Sequence, residues 1–148
     1  MRTIAVTAMI LALTGTAQAQ TVKAGDLALS NLQLRATPAG VPTSAAYLTI
    51  ENHGKTADKL VDIGCGCAAS AMMHRTETKN GVSSMSMVGE VEIPAGGKVE
   101  FKPDGLHVML VGLKEALTAG RTQVMTLRFQ KAGKVEAPFR VVDVIGGH

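Results

Sequence analysis

Alternation of hydrophobic and polar positions along the chain predicts a series of short β-strands. Leucines at positions 27 and 29 open the first strand, and Leu32 and Leu34 then alternate with polar neighbours up to Arg35. Further strand-like segments cover residues 46–51, 60–63, 70–74, 85–93, 98–101, 106–113, 123–130 and 135–144. Short strands that recur about every 8–12 residues are typical of an all-β sandwich or barrel, so the pattern predicts an all-β fold.

Turn-forming residues separate these strands. Asn80-Gly81 is a strong reversal signal and predicts a hairpin-like excursion between residues 74 and 85. Residues 94–97 and 102–105 indicate tight turns, in which proline fixes φ and glycine permits positive φ. Residues 114–117 are expected to form one helical turn that Gly120 ends.

The N-terminal residues have the pattern of a secretory signal peptide. Arg2 gives a short positive region, residues 4–13 form an apolar stretch too short to span a bilayer, and Ala17-Gln18-Ala19 has the small-x-small form of a cleavage site. We expect residues 1–19 to be removed and residues 20–148 to form one soluble domain without membrane insertion. A retained N-terminal anchor is the alternative, and no lipobox cysteine or second apolar run supports it.

Charge and aromatic content bear on possible partners. The formal net charge is +3, and removal of Arg2 with the signal lowers it to +2. The basic residues form no run interleaved with aromatic residues, and the chain has one Tyr, three Phe and no Trp. These features exclude a typical nucleic-acid-binding surface.

Methionine and histidine are concentrated in one window. Five of the six methionines after the signal lie between positions 72 and 109, together with two of the four histidines. In a strand, residues i and i+2 share a face, so His107 and Met109 should project side by side while Val108 points into the core. The hairpin predicted at Asn80-Gly81 would bring His74 and Met85 together. We assign Met72, Met73 and Met125 to packing, and Met87 could be a spare thioether because it shares the strand parity of Met85.

The residue types select the metal. Thioether sulfur is soft and neutral and favours copper(I), whereas imidazole accepts several metals. The sequence has no zinc-finger cysteine spacing, no H-E-x-x-H motif and no calcium loop. Two imidazoles and two thioethers, from His74, Met85, His107 and Met109, therefore predict a copper(I) site.

The spacing of these four residues resembles that of periplasmic copper chaperones of the PCuA(C) type. Their motif is His, ten residues, Met, twenty-one residues, then His-x-Met; here ten residues separate His74 from Met85, and twenty-one separate Met85 from His107. Residues 45–50, 93–97 and 106–113 also look like family segments. The resemblance implies a single-domain, cupredoxin-like (immunoglobulin-like) β-sandwich in the periplasm. It also implies a monomeric, non-enzymatic copper(I) chaperone that supplies an acceptor protein, either the binuclear copper site of cytochrome c oxidase or another copper chaperone.

The two cysteines leave alternatives open. Cys65 and Cys67 are separated only by Gly66; they could form a small, strained disulfide, or stay free and add thiol ligands to the metal site. A thiol-disulfide redox protein is therefore one alternative function, although such enzymes usually carry C-x-x-C at a helix start. General periplasmic copper storage or tolerance is another. An electron-transfer cupredoxin would need two histidines and a cysteine at one site, and here both cysteines precede every candidate ligand.

Overall fold

The computed structural model describes residues 21–143 as an all-β fold. The signal peptide predicted over residues 1–19 and the terminal His148 lie outside this part of the chain. Within residues 21–143, no helix is long and apolar enough to cross a membrane. The described strands are β1 Val22–Ala24, β2 Leu27–Arg35, β3 Thr43–Asn52, β4 Asp58–Cys65, β5 Ala68–Lys79, β6 Val82–Met87, β7 Val91–Ile93, β8 Lys98–Phe101, β9 Leu106–Leu113, β10 Thr122–Phe129 and β11 Gly133–Val142.

The strands form one hydrogen-bonded path that folds over on itself. Its order is β6-β5-β9-β8-β3-β2-β11-β10-β4-β7, with β1 added beside β2 and β3 also pairing with β9. Buried residues from both halves of the path belong to one apolar core, including Met73 and Val108 from one half and Leu127 and Phe139 from the other. The two halves therefore pack face to face, and the predicted all-β sandwich is confirmed.

Strand alternation explains how the core is filled. In β9, Val108 and Leu110 are fully buried, whereas Met109 between them is only partly buried. In β5, Met73 is buried while its neighbours Met72 and His74 are partly exposed. The inward residues anchor both strands, and the residues between them are left free to form a second, outward face.

Two turns shape that outward face. Asn80 and Gly81 have φ values of 51° and 76°, which is the left-handed pair that a tight two-residue hairpin requires, and they join β5 to β6. The turn at residues 102–105 is also present, and Gly105 N–H donates to the Lys102 carbonyl at 3.2 Å. The residue with positive φ in this turn is Asp104, at 66°, and not the glycine that the sequence suggested.

Two sequence predictions about local structure are wrong. The strand expected over residues 85–93 is two strands, because β6 pairs with β5 whereas β7 pairs with β4. The helical turn expected over residues 114–117 does not form. Leu117 instead exchanges hydrogen bonds with Thr37: its N–H donates to Thr37 Oγ1 at 3.1 Å, and its carbonyl accepts from Thr37 N–H at 2.9 Å. These bonds tie Leu117 to Thr37, and residues 114 and 115 form a bend in place of a helical turn.

Candidate metal centre

Strands β6, β5 and β9 lie side by side and carry the candidate ligands on one face. His74 of β5 is directly opposite His107 of β9 on one side and Met87 of β6 on the other. Met85 lies opposite Thr76, two residues beyond His74, and Met109 lies opposite Met72, two residues before it. Because side chains two apart share a face, all of these residues except Thr76 present imidazole or thioether groups to the same surface.

His74 occupies the middle of this surface and touches a predicted partner. Its Nδ1 lies 3.1 Å from Met85 Sδ, and its ring centroid lies 5.9 Å from that of His107, with the rings inclined at 60°. The second ring nitrogen, Nε2, is buried and has no hydrogen-bond partner. A buried nitrogen without a partner is costly unless it binds something, so His74 has a lone pair available for a ligand.

His107 is oriented by the backbone of the preceding turn. Its Nδ1 donates a hydrogen bond to the Gly105 carbonyl at 3.0 Å, and only 8% of the residue is exposed. A proton on Nδ1 leaves the Nε2 lone pair free. Metal-binding histidines are commonly fixed in this way, with one nitrogen donating to a carbonyl and the other facing the metal.

The two thioethers differ in burial. Met109 is partly buried beside His107, on a strand held in the core by Val108 and Leu110. Met85 is 54% exposed, on a strand whose six residues are all exposed. The four predicted ligands thus differ in exposure. His107 and Met109 on β9 are buried or partly buried, His74 on β5 is central, and Met85 on β6 is exposed.

The donor set is chemically selective. In the described part of the chain, no three His, Cys, Asp or Glu residues are grouped so that they could hold a metal. A metal at this face must therefore take thioether sulfur as a ligand, in addition to the two imidazoles. Imidazole accepts several metals, but neutral thioethers suit a soft monovalent ion such as copper(I) and suit zinc or calcium poorly.

The cysteines lie elsewhere. Cys65 ends β4, Cys67 precedes β5, and the two form a disulfide, so neither is a free thiol. His74 lies six residues beyond the start of β5 at Ala68, which corresponds to about 20 Å along an extended strand. The structure therefore does not bring the two cysteines to the face that carries His74, whereas Met87, the other candidate accessory ligand, is on that face.

Sequence reasoning missed two residues on this surface. Met72, assigned to packing, shares the face of His74 and lies opposite Met109, whereas Met73 and Met125 are buried as expected.

Tyr47 of β3 shares strand parity with Ala45, which pairs with Met109, so its side chain projects from the same side of the sheet. Burial raises the pKa of Tyr47; Arg35 opposes this rise and Asp104 adds to it. Residues two apart in a strand share a face, so Met72 follows from His74 and Tyr47 follows from Ala45 once the strand pairing is known.

Comparison with known proteins gives the family. A family model described as "Putative lipoprotein LpqE-like" matches residues 27–141. The chain is 31% identical to "Putative lipoprotein Lxx21020" of Leifsonia xyli subsp. xyli (strain CTCB07), over all of this chain and 93% of that protein.

Two solved structures are similar to this fold. The apo PCuAC domain from PmoF1 is 30% identical with a TM-score of 0.70, and the match covers 82% of this chain and 98% of that domain. The solution structure of CuI-DR1885 from Deinococcus radiodurans is 31% identical with a TM-score of 0.65, covering 87% and 85% of the two chains. The fold is the cupredoxin-like β-sandwich of these domains, and the chain belongs to the LpqE-like family.

Proposed function

We propose that this protein is an exported copper(I) chaperone that binds one ion through His74, Met85, His107 and Met109. The observation that carries the proposal is the arrangement around His74. One nitrogen of this residue lies 3.1 Å from the Met85 sulfur, the other is buried without a partner, and His107 is its direct cross-strand neighbour. His74 therefore lies against one proposed ligand and beside another, and it keeps a nitrogen without a partner that could bind a soft ion.

The relatives support the proposal. DR1885 has been solved as a CuI form, and the PmoF1 domain is a PCuAC domain, so copper binding occurs among proteins of this fold and similar sequence. The relative from Leifsonia xyli is described as a lipoprotein, which is consistent with export and with a periplasmic location for this chain.

The ligand chemistry suits a carrier better than an enzyme. Thioethers and imidazoles are neutral, so they leave the positive charge on copper(I) and bind it less tightly than thiolates would. Met85 is more than half exposed, so an acceptor could reach the ion without unfolding the domain. Delivery to the binuclear copper site of cytochrome c oxidase, by a monomer, is the specific role we propose.

Anaerobic titration of copper(I) against a coloured copper(I) chelator tests the site. The wild type should bind one equivalent, and the Met85→Leu, Met109→Leu double variant should lose more than about tenfold in affinity, the loss seen even when a group supporting a ligand is removed. Met125→Leu is the matched control, because Met125 is fully buried away from the site and the exchange conserves volume. An affinity unchanged in the double variant would refute the ligand assignment.

The carrier role needs its own measurement. Copper(I)-loaded protein is mixed anaerobically with the apo form of the soluble binuclear copper domain of cytochrome c oxidase. The expected result is transfer of copper to that domain. Retention of copper by the carrier, at equilibrium with excess acceptor, would contradict delivery and favour storage.

A further inference from the structure

We propose that Met85 and Met87 form a thioether clamp through which copper(I) enters and leaves the site. This inference rests on the proposed function and deepens it. We call Met85 and Met87 the outer pair, and His107 and Met109 the inner pair. At the exposed edge of the domain, Met87 would hold the ion briefly together with Met85 and His74, and these two would stay bound to it as it reaches the inner pair.

The strand register places the outer pair correctly for this role. Met85 and Met87 are two residues apart on β6, so both thioethers project from the same face, as the inner pair does on β9. Met87 is directly opposite His74, and His74 is directly opposite His107, so the three residues form one row across the strands. Met85, although one step further along, has its sulfur 3.1 Å from His74 Nδ1. Both outer thioethers are therefore neighbours of the central histidine.

The exposure of the outer pair is not explained by packing. Met85 and Met87 are 54% and 69% exposed, and every residue of β6 is exposed, so this strand contributes no side chain to the core. Methionine usually fills gaps in a core, as Met73 and Met125 do here. Two exposed thioethers on one face of an edge strand are instead suitably placed to meet a soft ion arriving from solvent.

The transfer step is a ligand exchange without electron transfer. A bond from copper to the Met87 sulfur forms as a bond to an inner ligand breaks, with Met85 and His74 remaining attached during the exchange. All of these ligands are neutral, so the ion keeps its charge and oxidation state, and no proton moves. Met87 thus acts on the rate of entry and exit, whereas the inner pair sets the affinity.

The test compares affinity with exchange rate in wild type and Met87→Leu. Copper(I) affinity is measured by chelator competition, and exit is followed by stopped-flow mixing of loaded protein with excess bicinchoninate. We expect Met87→Leu to bind one equivalent with an affinity within about threefold of wild type and to release it about tenfold more slowly, the scale on which single groups around a metal act. The methyl resonance of Met87 should also shift when copper(I) is added to wild type.

The matched control is the double variant Ser86→Met, Met87→Leu. It restores a thioether to β6 at an exposed position but on the opposite face. This control should release copper(I) as slowly as Met87→Leu does. If the added Ser86→Met change restored the wild-type exit rate, only the sulfur content of β6 would matter, and the clamp would be overturned. An unchanged exit rate in Met87→Leu would also overturn it, as would a large loss of affinity, which would make Met87 a permanent ligand. Failure of the wild type to bind copper(I) would instead refute the proposed function itself.

Discussion

Strands β6 and β9 carry the same i, i+2 pattern of candidate ligands for copper(I), but the residue between the candidates differs. In β9 the middle residue is Val108, which is fully buried in the core; in β6 it is Ser86, which is exposed. The inner pair is therefore anchored through its strand to the core. Within residues 21–143, the strand of the outer pair buries no side chain and is paired with β5 alone. The contrast suggests how one face can both bind an ion and release it: one half is rigid, and the other can move.

The largest expected effect comes from removing the anchor of the inner pair. Val108→Ala deletes two fully buried methyl groups and should lower the free energy of unfolding by about 2–3 kcal/mol, since a cavity replaces packed atoms. Ser86→Ala, the equivalent change in β6, should alter it by less than about 0.5 kcal/mol. Urea denaturation of both variants checks this difference. Equal losses in the two variants would contradict the distinction between an anchored and an unanchored strand.

A smaller effect should follow from straining the hairpin that carries the outer pair. Gly81 has a φ of 76° and open space where a Cβ would be, so Gly81→Ala meets only the cost of a left-handed alanine, about 1–2 kcal/mol. Because β6 buries no side chain, this cost should appear as local opening of β6 more than as global unfolding.

Amide hydrogen exchange measures that local opening. Protection of the β6 amides should fall in Gly81→Ala, while protection in β9 should stay near the wild-type level. Gly66→Ala is a control of similar size, since Gly66 is also exposed with open space around it but its φ lies outside the positive range. Equal loss of protection in β9 and β6 would show that the hairpin is part of the cooperative core.

The sequence predicted the chemistry of the face better than its arrangement. The His107-Val108-Met109 alternation is sufficient to orient both residues of the inner pair, because a buried Val108 fixes the parity of its neighbours. The hairpin at Asn80-Gly81 was predicted because both residues tolerate positive φ. Placing His74 opposite His107, however, depends on non-local pairing of β5 with β9, which no local pattern specifies.

The errors have the same physical origin. Met72 resembles Met73 in sequence, and only the register of β5 decides which of the two faces the core. The non-helical segment at Leu117 is bonded to Thr37, eighty residues away, so its helix-compatible composition is misleading. Local patterns predicted most strands, whereas pairing between distant strands decided that Met72 and Tyr47 share the face of the candidate ligands.

The smallest expected effect concerns Tyr47, on the same side of the sheet as the inner pair. Burial raises its pKa above the ordinary 10.0, so the folded protein keeps a phenol proton that the unfolded chain loses. The free energy of unfolding should therefore fall as pH rises above 10.0, because the native state then binds more protons than the unfolded state.

Tyr47→Phe removes this contribution, so its unfolding free energy should decline less steeply between about pH 9 and pH 11. Lysine titration affects both proteins equally and cancels in the comparison. Since Tyr47 is the single tyrosine of the chain and there is no tryptophan, phenolate absorbance reports this residue alone. Parallel declines in the two proteins, or phenolate formation at the ordinary pH, would show that Tyr47 is open to solvent. The side of the sheet that carries the inner pair would then be less enclosed, and the contrast with the exposed outer pair would be weaker.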